Sequence, residues 1–84
     1  MNLSIVNDEK NFLEVKFEGD AHSFLNLIKR KLVDNKEVAF AGYNKPHPLV
    51  DESVLVIRTA KADPKKIFKE AVEELIAELK DLTL

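Results

Sequence analysis

The sequence has 84 residues, with thirteen Lys and Arg against fifteen Asp and Glu and no cysteine, which gives a formal net charge of −2. This length allows one small domain with a marginal core, and the lack of cysteine excludes disulfides and thiolate metal sites. The charge argues against a protein that mainly neutralises phosphates, and no apolar run approaches the ~20 residues that span a bilayer. Oligomerisation is therefore the favoured supplement to the core, and the composition is compatible with a cytoplasmic location.

Two strands are predicted at the start of the chain. Residues 2–6 form a short apolar segment, and residues 7–11 form a polar turn. Residues 12–18 then alternate strictly after Phe12, with apolar side chains at odd positions and charged ones at even positions. A period of two with one charged face predicts a strand in a half-solvated antiparallel sheet.

A helix is predicted over residues 20–33, because its apolar positions cover roughly 160° of the helical wheel. Asp20 or Ser23 is predicted to cap its start, and the cations Lys29, Arg30 and Lys31 suit the negative end of its dipole. The apolar members of this helix are Ala21, Phe24, Leu25, Leu27, Ile28 and Leu32.

The second half of the chain predicts two more strands and a long helix. Residues 38–43 form the third strand, residues 44–53 an irregular stretch containing Pro46 and Pro48, and residues 54–59 a β-branched fourth strand. Asp63 and Pro64 begin the last helix as N-cap and first helical residue. Its stripe covers roughly 180° of the wheel and consists of Ile67, Phe68, Ala71, Val72, Leu75, Ile76, Leu79 and Leu82.

The order ββαββα predicts an α+β fold, a four-stranded, mainly antiparallel sheet with two helices packed on one face. A helix on a sheet typically shows an apolar stripe somewhat over 100° wide, so both stripes leave apolar surface for a partner. The alternative is that the two helices bury their flanks against each other. The predicted partner interface consists of Phe24, Leu25, Leu27, Ile28, Leu32, Phe68, Val72, Leu75, Ile76 and Leu79.

No catalytic residue, metal site or cofactor is predicted. The only glycines are Gly19 and Gly42, too few for a phosphate-binding loop. Neither His22 nor His47 has a companion at the spacing that chelates a metal. His22 is predicted to form hydrogen bonds at the helix entry, and His47 to brace the proline loop.

Two blocks, HSFLNLIKRKL at residues 22–32 and AGYNKPHPL at residues 41–49, resemble the family of small archaeal RNA polymerase L subunits. The resemblance extends to Ile57-Arg58-Thr59 and Asp63-Pro64 and implies an RNA polymerase alpha-type dimerisation domain over residues 1–84. It implies a non-catalytic assembly subunit that pairs through its helices with a larger RNA polymerase chain, the D-like subunit, as a platform for the large catalytic subunits. The family-motif loop contains Tyr43, Pro46, His47, Pro48 and Leu49.

Two other classes of function remain open at this point. A free-standing homodimeric ligand-binding module would form a stable homodimer that binds a metabolite. A nucleic-acid-binding protein would show salt-sensitive binding, although the net charge argues against strong direct binding. Its basic patch would consist of Lys29, Arg30, Lys31 and Lys36.

Overall fold

The structure, a computed structural model, describes residues 2–19, 21–45 and 49–82. The elements are β1 (Asn2–Glu9), β2 (Phe12–Glu18), α1 (His22–Val33), β3 (Val38–Asn44), β4 (Glu52–Thr59) and α2 (Pro64–Leu82). The strands form one sheet in the order β1-β2-β4-β3, and every neighbouring pair is antiparallel. The predicted ββαββα order and α+β fold are confirmed.

The core lies between the helices and one face of the sheet. Leu13, Val15 and Phe17 of β2 share this face with Leu55 and Ile57 of β4, and none is more than 1% exposed. Directly opposed residues of antiparallel strands point to the same side of a sheet, and the registers Leu13–Ile57 and Val15–Leu55 place these side chains together. The alternation of β2 thus identified the buried face correctly.

Three aromatic rings connect the sheet to both helices. The ring of Phe17 lies 6.0 Å from that of Phe24 at the start of α1 and 6.3 Å from that of Phe68 in the first turns of α2. Tilted and edge-on arrangements at these centroid distances are favourable because the ring edges are positive and the faces negative. Phe17 therefore packs against an aromatic ring of each helix.

The opposite face of the sheet is half-solvated, as the alternation predicted. Lys16 and Glu18 form an ion pair of 3.3 Å on this face. The guanidinium carbon of Arg58 lies 4.7 Å from the centroid of the Phe12 ring, where the ring quadrupole attracts a cation. Part of the apolar surface that no helix covers is thus covered by a charged side chain.

The first strand is longer than the sequence predicted. It continues to Glu9, so the turn consists of Lys10 and Asn11 alone instead of residues 7–11. A register shift between Ile5 and Asn7 leaves Val6 as an extra residue in β1. Such a bulge lets the strand keep pairing although its apolar alternation has ended. Composition suggested a turn here, but backbone pairing with β2 continues through these residues.

The start of α1 also differs from the prediction. Its N-cap is Ala21, and no side-chain hydrogen bond caps the helix among the described residues. Ser23 lies inside the helix, which begins at His22, and Asp20 lies outside the described residues. The sequence contained residue types that can cap a helix, but it did not show at which residue the helix begins.

The start of α2 is as predicted. The Oδ1 atom of Asp63 accepts the backbone N–H of Lys65 at 3.1 Å, and Pro64 is the first helical residue. The carboxylate satisfies one of the free N–H groups at the positive end of the helix, and the fixed φ of proline suits the first helical position.

Candidate protein–protein interface

α2 carries apolar side chains on two flanks. Ile67, Ala71 and Leu75 are between 3% and 7% exposed and belong to the core. The second flank, which we call the α2 stripe, consists of Phe68, Val72, Ile76 and Leu79. Its exposure rises along the helix: Phe68 is 9% exposed, whereas Ile76 and Leu79 are 45% and 43% exposed. Spacings of four, four and three residues keep these side chains on one side of the helix, so the stripe leaves the core and continues into solvent.

α1 presents much less free apolar surface. Leu25, Ile28 and Leu32 are fully buried in the core of the chain itself. Phe24 is half-buried beside the aromatic core, and Leu27 is 38% exposed. Five members of the predicted interface therefore occupy core positions: Leu25, Ile28, Leu32, Phe68 and Leu75. The members that a partner could reach, to different degrees, are Leu27, Val72, Ile76 and Leu79.

Sequence reasoning missed an apolar contribution from β1. Leu3 and Ile5 lie opposite Phe17 and Val15, so they point to the side of the sheet that carries the helices. They are nevertheless 49% and 45% exposed, because β1 is an edge strand on which neither helix lies. The alternation of Leu3 and Ile5 was visible in the sequence, but their exposure depends on where α2 lies.

An open groove runs between β1 and α2. Its floor is formed by Leu3 and Ile5 of β1 together with Phe68 and Val72 of α2. We call it the β1–α2 groove. Since Phe68 and Val72 also begin the α2 stripe, the groove and the stripe form one continuous apolar surface.

Lys31 connects the two helices. Its ammonium lies 2.7 Å from Oε1 of Glu78 and 3.7 Å from Oε2 of Glu74, and its side chain is 20% exposed. The hydrogen bond to Glu78, supported by the charges of both carboxylates, raises the pKa of Lys31 above its ordinary value. One of the four cations in the predicted basic patch is therefore used within the fold, which weakens the nucleic-acid alternative.

The two sequence blocks that carry the family resemblance meet in space. Tyr43, at the end of β3, places its hydroxyl 2.8 Å from Oδ1 of Asn26 and 3.1 Å from Nδ1 of His22. Nδ2 of Asn26 lies 3.3 Å from Nε2 of His22. His22 is the first residue of α1, so it forms the hydrogen bonds at the helix entry that the sequence predicted.

One protonation state of His22 satisfies all three contacts. If the Tyr43 hydroxyl donates to Asn26 Oδ1, its oxygen accepts from Nδ1–H of His22, and Nε2 of His22 accepts from the Asn26 amide. A neutral imidazole with the proton on Nδ1 therefore completes a closed ring of donors and acceptors. This ring ties the first turn of α1 to β3 and to the start of the family-motif loop.

The family-motif loop is described only in part. Three of its members lie outside the described residues: Pro46, His47 and Pro48. Leu49 is 98% exposed. Beyond it, the carbonyl of Asp51 accepts the N–H of Gly19 at 2.8 Å, and Gly19 has a positive φ of 93° that favours glycine as the chain leaves β2. The C-terminal end of the loop is therefore attached to the body of the domain.

Two further observations concern the described part of the chain. It contains no group of three or more His, Cys, Asp or Glu side chains that could hold a metal ion. None of its helices is long and apolar enough to cross a membrane.

A family model described as the RNA polymerase Rpb3/Rpb11 dimerisation domain matches residues 13–83. The chain belongs to this family. Among its relatives is the DNA-directed RNA polymerase subunit Rpo11 of Archaeoglobus fulgidus, 35% identical over 77 residues that cover 92% of this chain and 90% of that protein. The Rpo11 subunit of Sulfurisphaera tokodaii is 38% identical over 74 residues, covering 87% and 80% of the two chains.

A solved RNA polymerase subunit has the same fold. The crystal structure of DNA-directed RNA polymerase subunit L from Thermoplasma acidophilum superimposes with a TM-score of 0.85, covering 98% of this chain and 81% of that one. At 24% identity this likeness concerns the fold alone, and it confirms the predicted alpha-type architecture. The resemblance drawn from the two sequence blocks is confirmed at the level of the family, and the family match does not support a homodimeric ligand-binding module.

Proposed function

We propose that this chain, as a single dimerisation domain over residues 1–84, is a non-catalytic assembly subunit of a multisubunit DNA-directed RNA polymerase. It pairs with the larger D-like subunit, and the pair forms the platform on which the large catalytic subunits assemble. Polymerase chemistry belongs to those other chains, and this chain needs no cofactor of its own. Assembly takes place in the cytoplasm.

The observation that carries this proposal is the exposure of the α2 stripe in a member of a dimerisation family. Ile76 and Leu79 are close to half-exposed although they lie on the same flank as Phe68 and Val72, which pack onto the core. An apolar side chain gains roughly 1.5–3 kcal/mol when it is fully buried, so covering these positions would stabilise a complex. Leu27 of α1 would add a smaller contribution.

We further propose that the family-motif loop contacts a large polymerase subunit. Leu49 is almost fully exposed, and the ring of His22, Asn26 and Tyr43 fixes the strand that enters the loop. Prolines in the loop lower the entropy lost on binding. Replacing Pro46, His47 and Pro48 by Gly-Ser-Gly should leave pairing with the D-like subunit intact and weaken later assembly. Unchanged assembly would contradict this role.

The pairing is tested by co-expressing the chain with the D-like subunit encoded by the same genome. Ile76→Asp and Leu79→Asp should keep the circular dichroism spectrum of the wild type but reduce co-purification at least about tenfold, because a carboxylate would be left in a dry apolar contact. Glu70→Ala, which changes an exposed polar position of the same helix outside the groove lining, is the matched control and should pair normally.

Two other outcomes would argue against the proposal. If the wild-type chain forms no complex with the D-like subunit, the proposed pairing is wrong. Normal pairing of both folded aspartate variants would show that the α2 stripe is not the contact surface. Leu75→Asp serves as a positive control for misfolding, since Leu75 is 3% exposed.

A further inference from the structure

We propose that the outer edge of β3 binds an extended segment of a large catalytic subunit, which adds a fifth strand to the sheet. This inference rests on the proposed function and adds to it a second contact surface, separate from the α2 stripe. Three features of the molecule support it: the composition of the edge strand, the apolar surface beside it, and its position relative to the pairing surface.

β3 is an edge strand without charged side chains. It pairs with β4 alone, and in the described part of the chain the backbone of residues 39–44 forms no hydrogen bond outside that pairing. An edge strand presents a row of unpaired N–H and C=O groups, and proteins commonly blunt such an edge with charged side chains or proline. The sequence of β3, VAFAGYN, contains neither. This composition is typical of a strand that pairs with another chain.

The opposite edge of the sheet differs in this respect. β1 ends with Asp8 and Glu9, and the bulge at Val6 interrupts its register. Charges and bulges both discourage pairing between edges. The register of β3 also shifts, between Val38 and Phe40, but this shift lies at the start of the strand and leaves the rest in regular pairing with β4. Only β1 therefore combines a bulge with charged side chains.

An open apolar groove lies beside the β3 edge on the face of the sheet that carries no helix. Its lining includes Phe40 and Gly42 of β3 together with Val54 and Val56 of β4. Phe40 is 53% exposed, and its Cζ atom lies 3.1 Å from the place that a Cβ atom of residue 42 would occupy. The ring therefore lies over the glycine, where an apolar side chain of an added strand can cover it.

The β3 edge stays accessible when the α2 stripe is covered. β1 and β3 lie at opposite ends of the strand order, and Phe68 and Val72 of the stripe face β1 across the β1–α2 groove. β3 leads instead into the family-motif loop, whose first member, Tyr43, is still part of the strand. Because that loop is proposed to contact a large subunit, the same subunit is placed to supply the added strand.

The edge also defines the chemistry of its occupant. Residues 40–44 can pair with a segment of about five residues, a common strand length. Side chains of that segment next to Phe40 would be β-branched or aromatic, because such residues pack well across neighbouring strands. A charged side chain would meet no opposite charge on β3. The occupant is thus an extended, uncharged segment that is recognised largely through its backbone.

The first test follows hydrogen exchange in the backbone of β3. In the heterodimer with the D-like subunit, a peptide covering residues 38–44 should contain fast-exchanging amides. Assembly with the large subunits from the same genome should slow their exchange at least about tenfold, because the added strand pairs them. A peptide covering residues 2–9 reports on the other edge and should not change. Unchanged exchange of β3, or equal slowing at both edges, would overturn the inference.

The second test places a charge on the edge. Phe40→Lys should reduce incorporation of the large subunits at least about tenfold, because a lysine on an edge strand disfavours a further strand. Ser4→Lys is the matched control: it introduces the same side chain on the same face of the opposite edge, where Ser4 lies opposite Lys16, and should assemble normally. Both variants should keep the circular dichroism spectrum of the wild type and pair with the D-like subunit. Normal assembly of folded Phe40→Lys would overturn the inference.

The third test identifies the occupant directly and does not depend on the folding of Phe40→Lys. A photo-crosslinking amino acid at position 39 in the assembled polymerase should capture an extended, uncharged peptide of a large subunit. The same amino acid at position 4 should not capture that peptide. Capture of a second copy of this chain, of the D-like subunit or of a helical segment would overturn the inference.

The results separate this inference from the proposed function. If the wild type pairs with the D-like subunit and the large subunits assemble while the exchange of β3 is unchanged, the edge is not occupied and the proposed function stands. If the wild type does not pair with the D-like subunit, both statements are overturned.

Discussion

α1 and α2 have apolar stripes of similar width on the helical wheel, roughly 160° and 180°, but the folded chain uses them differently. Three leucine and isoleucine side chains of α1 are fully buried, whereas Ile76 and Leu79 of α2 are 45% and 43% exposed. α1 has 12 residues and lies against both β3 and α2, while α2 has 19 residues and continues beyond the surface that covers it. The width of a stripe therefore does not measure the surface that remains for a partner. That surface depends on helix length and on placement over the sheet.

The largest expected effect is the difference in stability loss between a substitution at a core position of α1 and one in the α2 stripe. Leu25→Ala should lower the free energy of unfolding of the isolated chain by about 2–5 kcal/mol, because it creates a cavity in a closely packed core. Ile76→Ala should lower it by less than about 1 kcal/mol, because that side chain is already half in water. Urea unfolding followed by circular dichroism measures both. Similar losses of unfolding free energy for the two variants would contradict the view that α1 is a core helix and that the α2 stripe is largely exposed.

The second largest effect should be a difference in stability between substitutions at the N-termini of the two helices. Asp63→Ala should reduce the free energy of unfolding by about 0.5–2 kcal/mol, because the N–H of Lys65 loses its capping carboxylate. Ser23→Ala in α1 should be neutral or slightly stabilising, since Ser23 lies inside the helix and alanine is the better helix former. A clear loss of stability in Ser23→Ala would indicate that the Ser23 side chain caps α1, which the structure does not show.

A smaller effect concerns the attachment of α1 to β3. Tyr43→Phe and Asn26→Ala should each cost about 0.5–1.5 kcal/mol, and the double variant should cost less than the sum because both remove the same hydrogen bond. Additive losses in a double-mutant cycle would mean that the two side chains act independently.

The smallest effect is the coupling of the two helices through Lys31. Its pKa is raised above 10.5 chiefly by the hydrogen bond to Glu78, so the folded state binds this proton more tightly than the unfolded state. The resulting stabilisation is complete below the unfolded pKa and is lost as the pH rises through the folded pKa. The small difference in urea midpoint between the wild type and Lys31→Met should therefore be constant from about pH 6 to 9 and shrink above it. A difference that grows with alkaline pH would contradict this assignment.

Several features were predictable because they depend on neighbours in sequence. Strict alternation gave the bounds of β2 and its buried face, and Asp63 with Pro64 gave the start of α2. The order of six elements follows from the same local signals, as does the presence of apolar stripes on both helices. These signals are local because side-chain direction repeats every two residues in a strand and every 3.6 in a helix.

The tertiary structure decided what depends on pairing and packing between elements. Pairing with β2 extended β1 past the bulge at Val6, and the strand order left β1 at the edge of the sheet. The position of α2 then exposed Leu3 and Ile5 and left Ile76 and Leu79 in solvent. A periodic pattern tells which residues share a face, but what that face meets is set by packing between elements far apart in sequence. For that reason the sequence by itself determined the elements and the family of this chain, and only the folded structure separated its core from its interaction surface.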